Sequence, residues 1–136
     1  MDGYIHRVQY YETDKMAVVH HSNYIRWMEE ARVYYLEKIG YPYDKLEEMG
    51  IVSPVVSVNF EYKYPAKFAD DVYINLKLKV YNGIKMVFEY LFTNKDGLVI
   101  GIGNSKHCFI DSDGKPKSIK NEFKSVHEAL INSIEV

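Results

Sequence analysis

Residues 10–24 read Tyr-Tyr-Glu-Thr-Asp-Lys-Met-Ala-Val-Val-His-His-Ser-Asn-Tyr. A carboxylate, Asp14, and two imidazoles, His20 and His21, stand with several hydroxyls just before a helical apolar stripe, with a second acid, Glu12, two residues before Asp14. The first N–H groups of a helix have no partner within it, and the positive end of its dipole lies there. A developing oxyanion is stabilised at such a place. An Asp beside it can act as general base or nucleophile. The residue types alone leave a second reading open: an Asp and a Ser capping a turn, with two surface histidines.

The elements that must position these residues follow from periodicity. Tyr4 to Tyr11 is aromatic-rich and predicts a first strand. Glu12 to Ser22 has no period and reads as a loop, with Glu12 an exposed acid. Ser22 or Asn23 caps a helix over Tyr24 to Ile39, whose apolar positions are Tyr24, Trp27, Met28, Ala31, Tyr35 and Ile39. Gly40 stops it. Pro42 opens a short helical turn, Tyr43 to Met49.

Sheet follows. Val52 to Tyr64 alternates through Val56, Val58, Phe60, Tyr62 and Tyr64. Val72 to Tyr81 places Val72, Ile74, Leu76, Leu78 and Val80 on one side. Asn82-Gly83 predicts a hairpin into Ile84 to Thr93. Asn94 to Gly97 is a further turn, and Leu98 to Ile110 a further strand. Phe123, Val126, Leu130 and Ile134 predict a C-terminal helix. The order is strand, long helix, then antiparallel strands: an α+β domain with the helix on the sheet.

At 136 residues the chain is one domain, 1–136. A chain of this size buries roughly 68% of its unfolded surface, enough for a core without staples. A net charge of −2 and a pI near 6.2 argue against a nucleic-acid partner. Aromatic residues make up 15% of the chain, which favours strands with Tyr on partly wet faces. One cysteine, Cys108, admits no internal disulfide and fits a reducing compartment. With no signal pattern and no apolar run long enough for a membrane span, the expectation is a cytoplasmic chain.

The loop and helix resemble the signature of acyl-CoA thioesterases of the 4-hydroxybenzoyl-CoA type, of hotdog fold, in the branch associated with the bacterial Tol–Pal operon. The residues that carry the resemblance are Tyr10, Asp14, Val18-Val19, His20-His21 and Tyr24, continued by Trp27-Met28-Glu29-Glu30-Ala31-Arg32. A weaker match is Asn59-Phe60-Glu61-Tyr62-Lys63-Tyr64-Pro65-Ala66. The family often has Gly after the Asp, where this chain has Lys15-Met16-Ala17, and Tyr where it has His20.

The resemblance implies a five- or six-stranded antiparallel sheet wrapped around the long helix. It implies hydrolysis of short-chain or aromatic acyl-CoA to free acid and CoA, with no cofactor. Asp14 would be the catalytic carboxylate and the His21 N–H would polarise the thioester oxygen. Tyr10 would bond near Asp14. Val19, Asn59, Lys63 and Pro65 would contact substrate. It further implies a homodimer or dimer of dimers with sites between subunits. A non-catalytic acyl-CoA-binding module on the same fold, or a hotdog dehydratase using Glu29, Glu30 and His21, are the alternatives.

Other features have plainer readings. No metal-ligand spacing joins Asp14, His20 and His21, so no metal is expected. Gly101 to Lys106 superficially resembles a phosphate loop but lies in a strand, where a bulge is expected. Cys108 reads as a buried small hydrophobe. Lys63, Lys67, Lys106, Lys115 and Lys117 are within the reach expected for CoA phosphates, though each singly reads as a solvated charge.

Overall fold

A computed structural model describes residues 3–135. Strand β1 (Tyr4–Arg7) leads through a single 3-10 turn, Tyr10–Glu12, and a loop to helix α1 (Ser22–Lys38). A short helix α2 (Tyr43–Glu48) precedes β2 (Val55–Tyr62), β3 (Asp71–Tyr81), β4 (Lys85–Thr93) and β5 (Val99–Cys108), and α3 (Lys124–Ser133) follows. The five strands form one sheet in the order β1-β3-β4-β5-β2, every pair antiparallel.

Helix α1 buries the expected stripe, Tyr24, Trp27, Met28, Ala31 and Tyr35, against the sheet. Tyr24 stacks on Phe60, and Tyr35 meets Phe88 edge-on. Each such side chain contributes about 1.5–3 kcal/mol through burial. The helix ends where Gly40 takes a φ of 95°, a conformation costly for any side chain, and the Tyr41 N–H returns to the Leu36 carbonyl. A curled antiparallel sheet holding one long helix is the hotdog arrangement, here with five strands.

Several boundaries differ from the sequence reading. β1 stops at Arg7, because the Glu12 carboxylate accepts the Gln9 N–H and folds Tyr10–Glu12 into a turn. Glu12 is buried, not exposed. The residue capping α1 is His21 rather than Ser22 or Asn23, and the Ser22 N–H is met by His20 Nδ1. In β3, pairing with β4 slips between Leu78 and Val80, so Val80 turns out to solvent and Tyr81 turns in. Of the apolar stripe in β2, only Phe60 is buried, because β2 is an edge strand.

Gly101 and Gly103 sit in regular pairing opposite Tyr62 and Phe60, and the slip lies beside them, between Phe92 and Thr93 of β4. A Cβ on Gly101 would strike the Phe60 ring. One on Gly103 would lie 2.9 Å from Phe60 Cδ1 and from the Asn59 carbonyl. Cys108 is buried, as expected.

Candidate active site

The loop after the 3-10 turn is a closed hairpin. The Asp14 N–H bonds to the Val18 carbonyl at 2.9 Å, Ala17 N–H to the Asp14 carbonyl at 3.0 Å, and Val19 N–H to the Ala66 carbonyl at 2.8 Å. Ala17 takes a φ of 64° to complete the turn, a region that favours glycine. The His20 N–H returns to the Glu12 carbonyl, which also accepts from Asn23 Nδ2. The chain therefore enters α1 along a fixed path.

Beneath this path lies Glu12. Its Oε2 accepts the Trp27 indole N–H at 2.7 Å, and its Oε1 accepts the Gln9 N–H at 2.7 Å and lies 2.9 Å from His6 Nε2. Glu30 lies 3.0 Å from His6 Nδ1 and takes the Tyr4 hydroxyl at 2.7 Å. Burial pushes the Glu12 carboxyl up. The hydrogen bonds from His6, Gln9 and Trp27 outweigh it and hold the group below its ordinary value. One buried carboxylate thus ties β1, the turn and α1 together. Nothing in the sequence marked it except its place two residues before Asp14.

At the helix start, Val19, His21, Tyr24, Tyr62, Lys63, Tyr64 and Pro65 line a cleft of about 230 Å³. The Tyr62 hydroxyl donates to the His21 carbonyl at 3.2 Å, pinning the end of β2 to the beginning of α1. The Asn23 N–H is taken by the His20 carbonyl. No acceptor among the described residues meets the His21 N–H. That donor is free for a ligand, and the helix dipole is aligned behind it.

The cleft gathers Val19, His21, Lys63 and Pro65 from the sequence-derived site. Asp14 lies on the neighbouring hairpin, exposed, its Oδ1 accepting the Met16 N–H at 2.8 Å. Tyr10 is exposed and sets its ring edge-on to Phe68. Within one chain neither side chain lines the cleft. Asn59 lines a groove on the other face of the sheet, with Lys77 and Glu89. Lys63 Nζ is 3.3 Å from Glu61, and Lys117 pairs with Glu122. Among the described residues no group of three His, Cys, Asp or Glu side chains is arranged to hold a metal ion. Among the described residues, too, no helix is long and apolar enough to cross a membrane.

This combination is a hotdog sheet with a free N–H at the start of its central helix. It coincides with a match of residues 8–127 to the thioesterase-like superfamily, and the chain belongs to that family. It is an enzyme of the thioester hydrolase class. An Aquifex aeolicus (strain VF5) protein named as a candidate esterase is 40% identical over 124 residues, covering 90% of this chain and 94% of its own. Bacillus subtilis (strain 168) YneP, named as a candidate acyl-CoA thioesterase, is 34% identical over 123 residues, covering 90% and 89%. The crystal structure of a DHNA-CoA thioesterase from Staphylococcus aureus superimposes with a TM-score of 0.91 at 32% identity, covering 96% of this chain and 89% of that one.

Proposed function

We propose that this chain hydrolyses acyl-CoA thioesters, with short-chain or aromatic acyl groups favoured, to a free acid and CoA. The observation that carries the reading is the unbonded His21 N–H at the start of α1, in a cleft walled by Val19, Tyr62 and Pro65. The names of the similar proteins support an acyl-CoA substrate, and the loop motif supports the Tol–Pal-associated branch.

In this reading the thioester oxygen accepts the His21 N–H, and the negative charge that develops there is stabilised by the helix end. Asp14 either takes a proton from an attacking water or attacks the carbonyl carbon itself. In the first case a C–O bond forms to water, the C–S bond breaks and CoA leaves as thiolate. In the second the C–S bond breaks to give an acyl–aspartyl anhydride, which water then hydrolyses. Tyr10 orients Asp14, and Lys63 contacts CoA.

The site is completed in a homodimer, itself paired into a dimer of dimers. The unpaired edge of β2 supports this: Val55, Val56, Val58 and Tyr62 are between 42% and 64% exposed along a strand with free backbone groups. Antiparallel pairing of two such edges sets the Val55 end of one strand beside the Tyr62 end of the other.

The test is steady-state hydrolysis across a panel of acyl-CoAs by the parent and Asp14→Asn. The near-isosteric amide neither accepts a proton nor attacks as a carboxylate does. Turnover should fall by roughly 10²- to 10⁴-fold. His21→Ala should cost less, because the backbone N–H stays, and Tyr10→Phe less still. An Asp14→Asn protein as fast as the parent, beside a dead His21→Ala, would overturn the assignment.

A further inference from the structure

A second cavity, of about 340 Å³, lies farther along α1, bounded by that helix, α2, the start of β2, and strands β4 and β5. Arg32 is eleven residues beyond His21, roughly 16 Å along the helix axis at 1.5 Å per residue. The walls include Val33, Leu36, Met86 and Phe88; Glu29, Tyr43 and Ser53 also stand at it, and two further polar groups line it, Arg32 and His107.

These two groups are the ends of one hydrogen-bonded chain. Arg32 Nη1 lies 2.9 Å from the Tyr90 hydroxyl, Tyr90 lies 2.5 Å from Ser105 Oγ, and Ser105 Oγ lies 2.8 Å from His107 Nε2. Ser105, Tyr90 and His107 are buried.

The direction of this chain is set by its first member. A guanidinium only donates, so the Tyr90 oxygen accepts. Burial raises the Tyr90 phenol above its ordinary range, so it keeps its proton. That proton goes to Ser105, the acceptor the structure places beside it. Ser105 in turn donates to His107 Nε2. Burial, and then the Arg32 charge, bring His107 down to about 4, so its ring is neutral at pH 7. A neutral imidazole that accepts at Nε2 carries its hydrogen on Nδ1. Both ends of the chain therefore offer N–H donors.

The Arg32 charge also lacks a counterion. Among the described residues no carboxylate lies within 4.0 Å of it, although Glu29, exposed, stands at the same cavity. A partly apolar chamber in which an unpaired guanidinium and a neutral imidazole N–H lie at the ends of one hydrogen-bonded chain is complementary to an anionic acceptor on an apolar body.

We propose that this cavity is a binding site for a compact apolar molecule bearing a carboxylate, held between Arg32 and the Nδ1–H of His107. A charge-assisted pair of this kind separates carboxylate from neutral analogue by roughly ten- to a hundred-fold in affinity. Two molecules bring that chemistry: a free carboxylic acid, or an acyl thioester with a second carboxylate at its far end. Only the latter source rests on the hydrolysis reading.

The test is calorimetric titration of the full chain with benzoate and with benzyl alcohol, which keeps the ring and lacks the charge. Benzoate should bind at least ten-fold more tightly. Arg32→Met, which keeps an unbranched apolar stem, should erase the difference, and Arg32→Lys should restore part of it. Benzoate binding no better than benzyl alcohol, a comparison that needs no variant, overturns the proposal. So does benzoate binding unchanged in Arg32→Met.

A kinetic arm separates the sources. A KM for decanedioyl-CoA, whose acyl chain is long enough to run from His21 to Arg32, below that for decanoyl-CoA, with the gap closed in Arg32→Met, assigns the carboxylate to the acyl group. Equal KM values with benzoate binding intact assign the free acid, and both results uphold the site. Benzoate binding without turnover of any thioester sinks the hydrolysis reading and leaves the cavity standing. Turnover without benzoate binding does the reverse.

Discussion

Glu12 shows how much of a cleft is held by a residue that does not line it. Its carboxylate receives donors from β1, from the turn and from α1, so the direction in which α1 presents its first N–H groups depends on it. Removing one member of a buried charged cluster leaves the others without a partner, at a cost of about 3–5 kcal/mol. Glu12→Ala should therefore lower the denaturant midpoint by that equivalent. Because the folded pKa lies below the ordinary value, Glu12 contributes stability above its unfolded pKa of about 4.5. That contribution is lost as pH falls through the folded value. Glu12→Gln should flatten this part of the acid limb in urea titrations between pH 5 and 2. An acid limb identical to the parent's would show that Glu12 does not couple folding to protonation.

At the scale of elements, the hairpin of residues 13–19 carries a conformational cost at Ala17. A left-handed φ on an L-residue costs about 1–2 kcal/mol, and glycine's extra unfolded-state freedom returns about 0.5–1 of that. Ala17→Gly should raise stability by about 0.5–1 kcal/mol in chemical denaturation. A decrease would mean that the Ala17 methyl packs more usefully than its exposed position suggests. The long helix and strands β3 and β4 were legible in the sequence because their periods of 3.6 and 2 reflect a single buried face each, and β2 because it alternates although only Phe60 of its stripe is buried in the single chain. What escaped was set by contacts between distant residues. The burial of Glu12 depends on Trp27 and His6, and the outward turn of Val80 on a pairing slip with β4, neither of which leaves a local pattern. The cleft was half legible. Val19, His21, Lys63 and Pro65 converge, while Asp14 and Tyr10 stand on a neighbouring loop and Asn59 on the opposite face.

For the whole molecule, the proposed dimer makes the open edge of β2 the surface to test. Sedimentation at micromolar concentration should give at least twice the 15.9 kDa of one chain. Val58 lies in the middle of that edge and is half-exposed in the single chain. Val58→Lys, an edge-blocking charge of the kind natural sheets use, should yield a folded monomer with native far-ultraviolet dichroism and strongly reduced turnover. A monomeric parent with full activity would remove the second subunit from the site.

The contact of Phe60 with Gly101 and Gly103 gives the sheet a form of sequence memory. The ring of β2 occupies the space that side chains of β5 would otherwise fill, so the positions constrain each other's history. Phe60→Ala alone opens a void, at about 3–5 kcal/mol. Gly103→Ala alone drives a methyl against the ring. In the double variant the methyl enters the vacated space, leaving only its contact with the Asn59 carbonyl unrelieved. A double-mutant cycle should return a favourable coupling of about 1 kcal/mol or more. The order in which these substitutions arise then decides whether either survives: a small residue must come first at 60, or glycine must stay at 103.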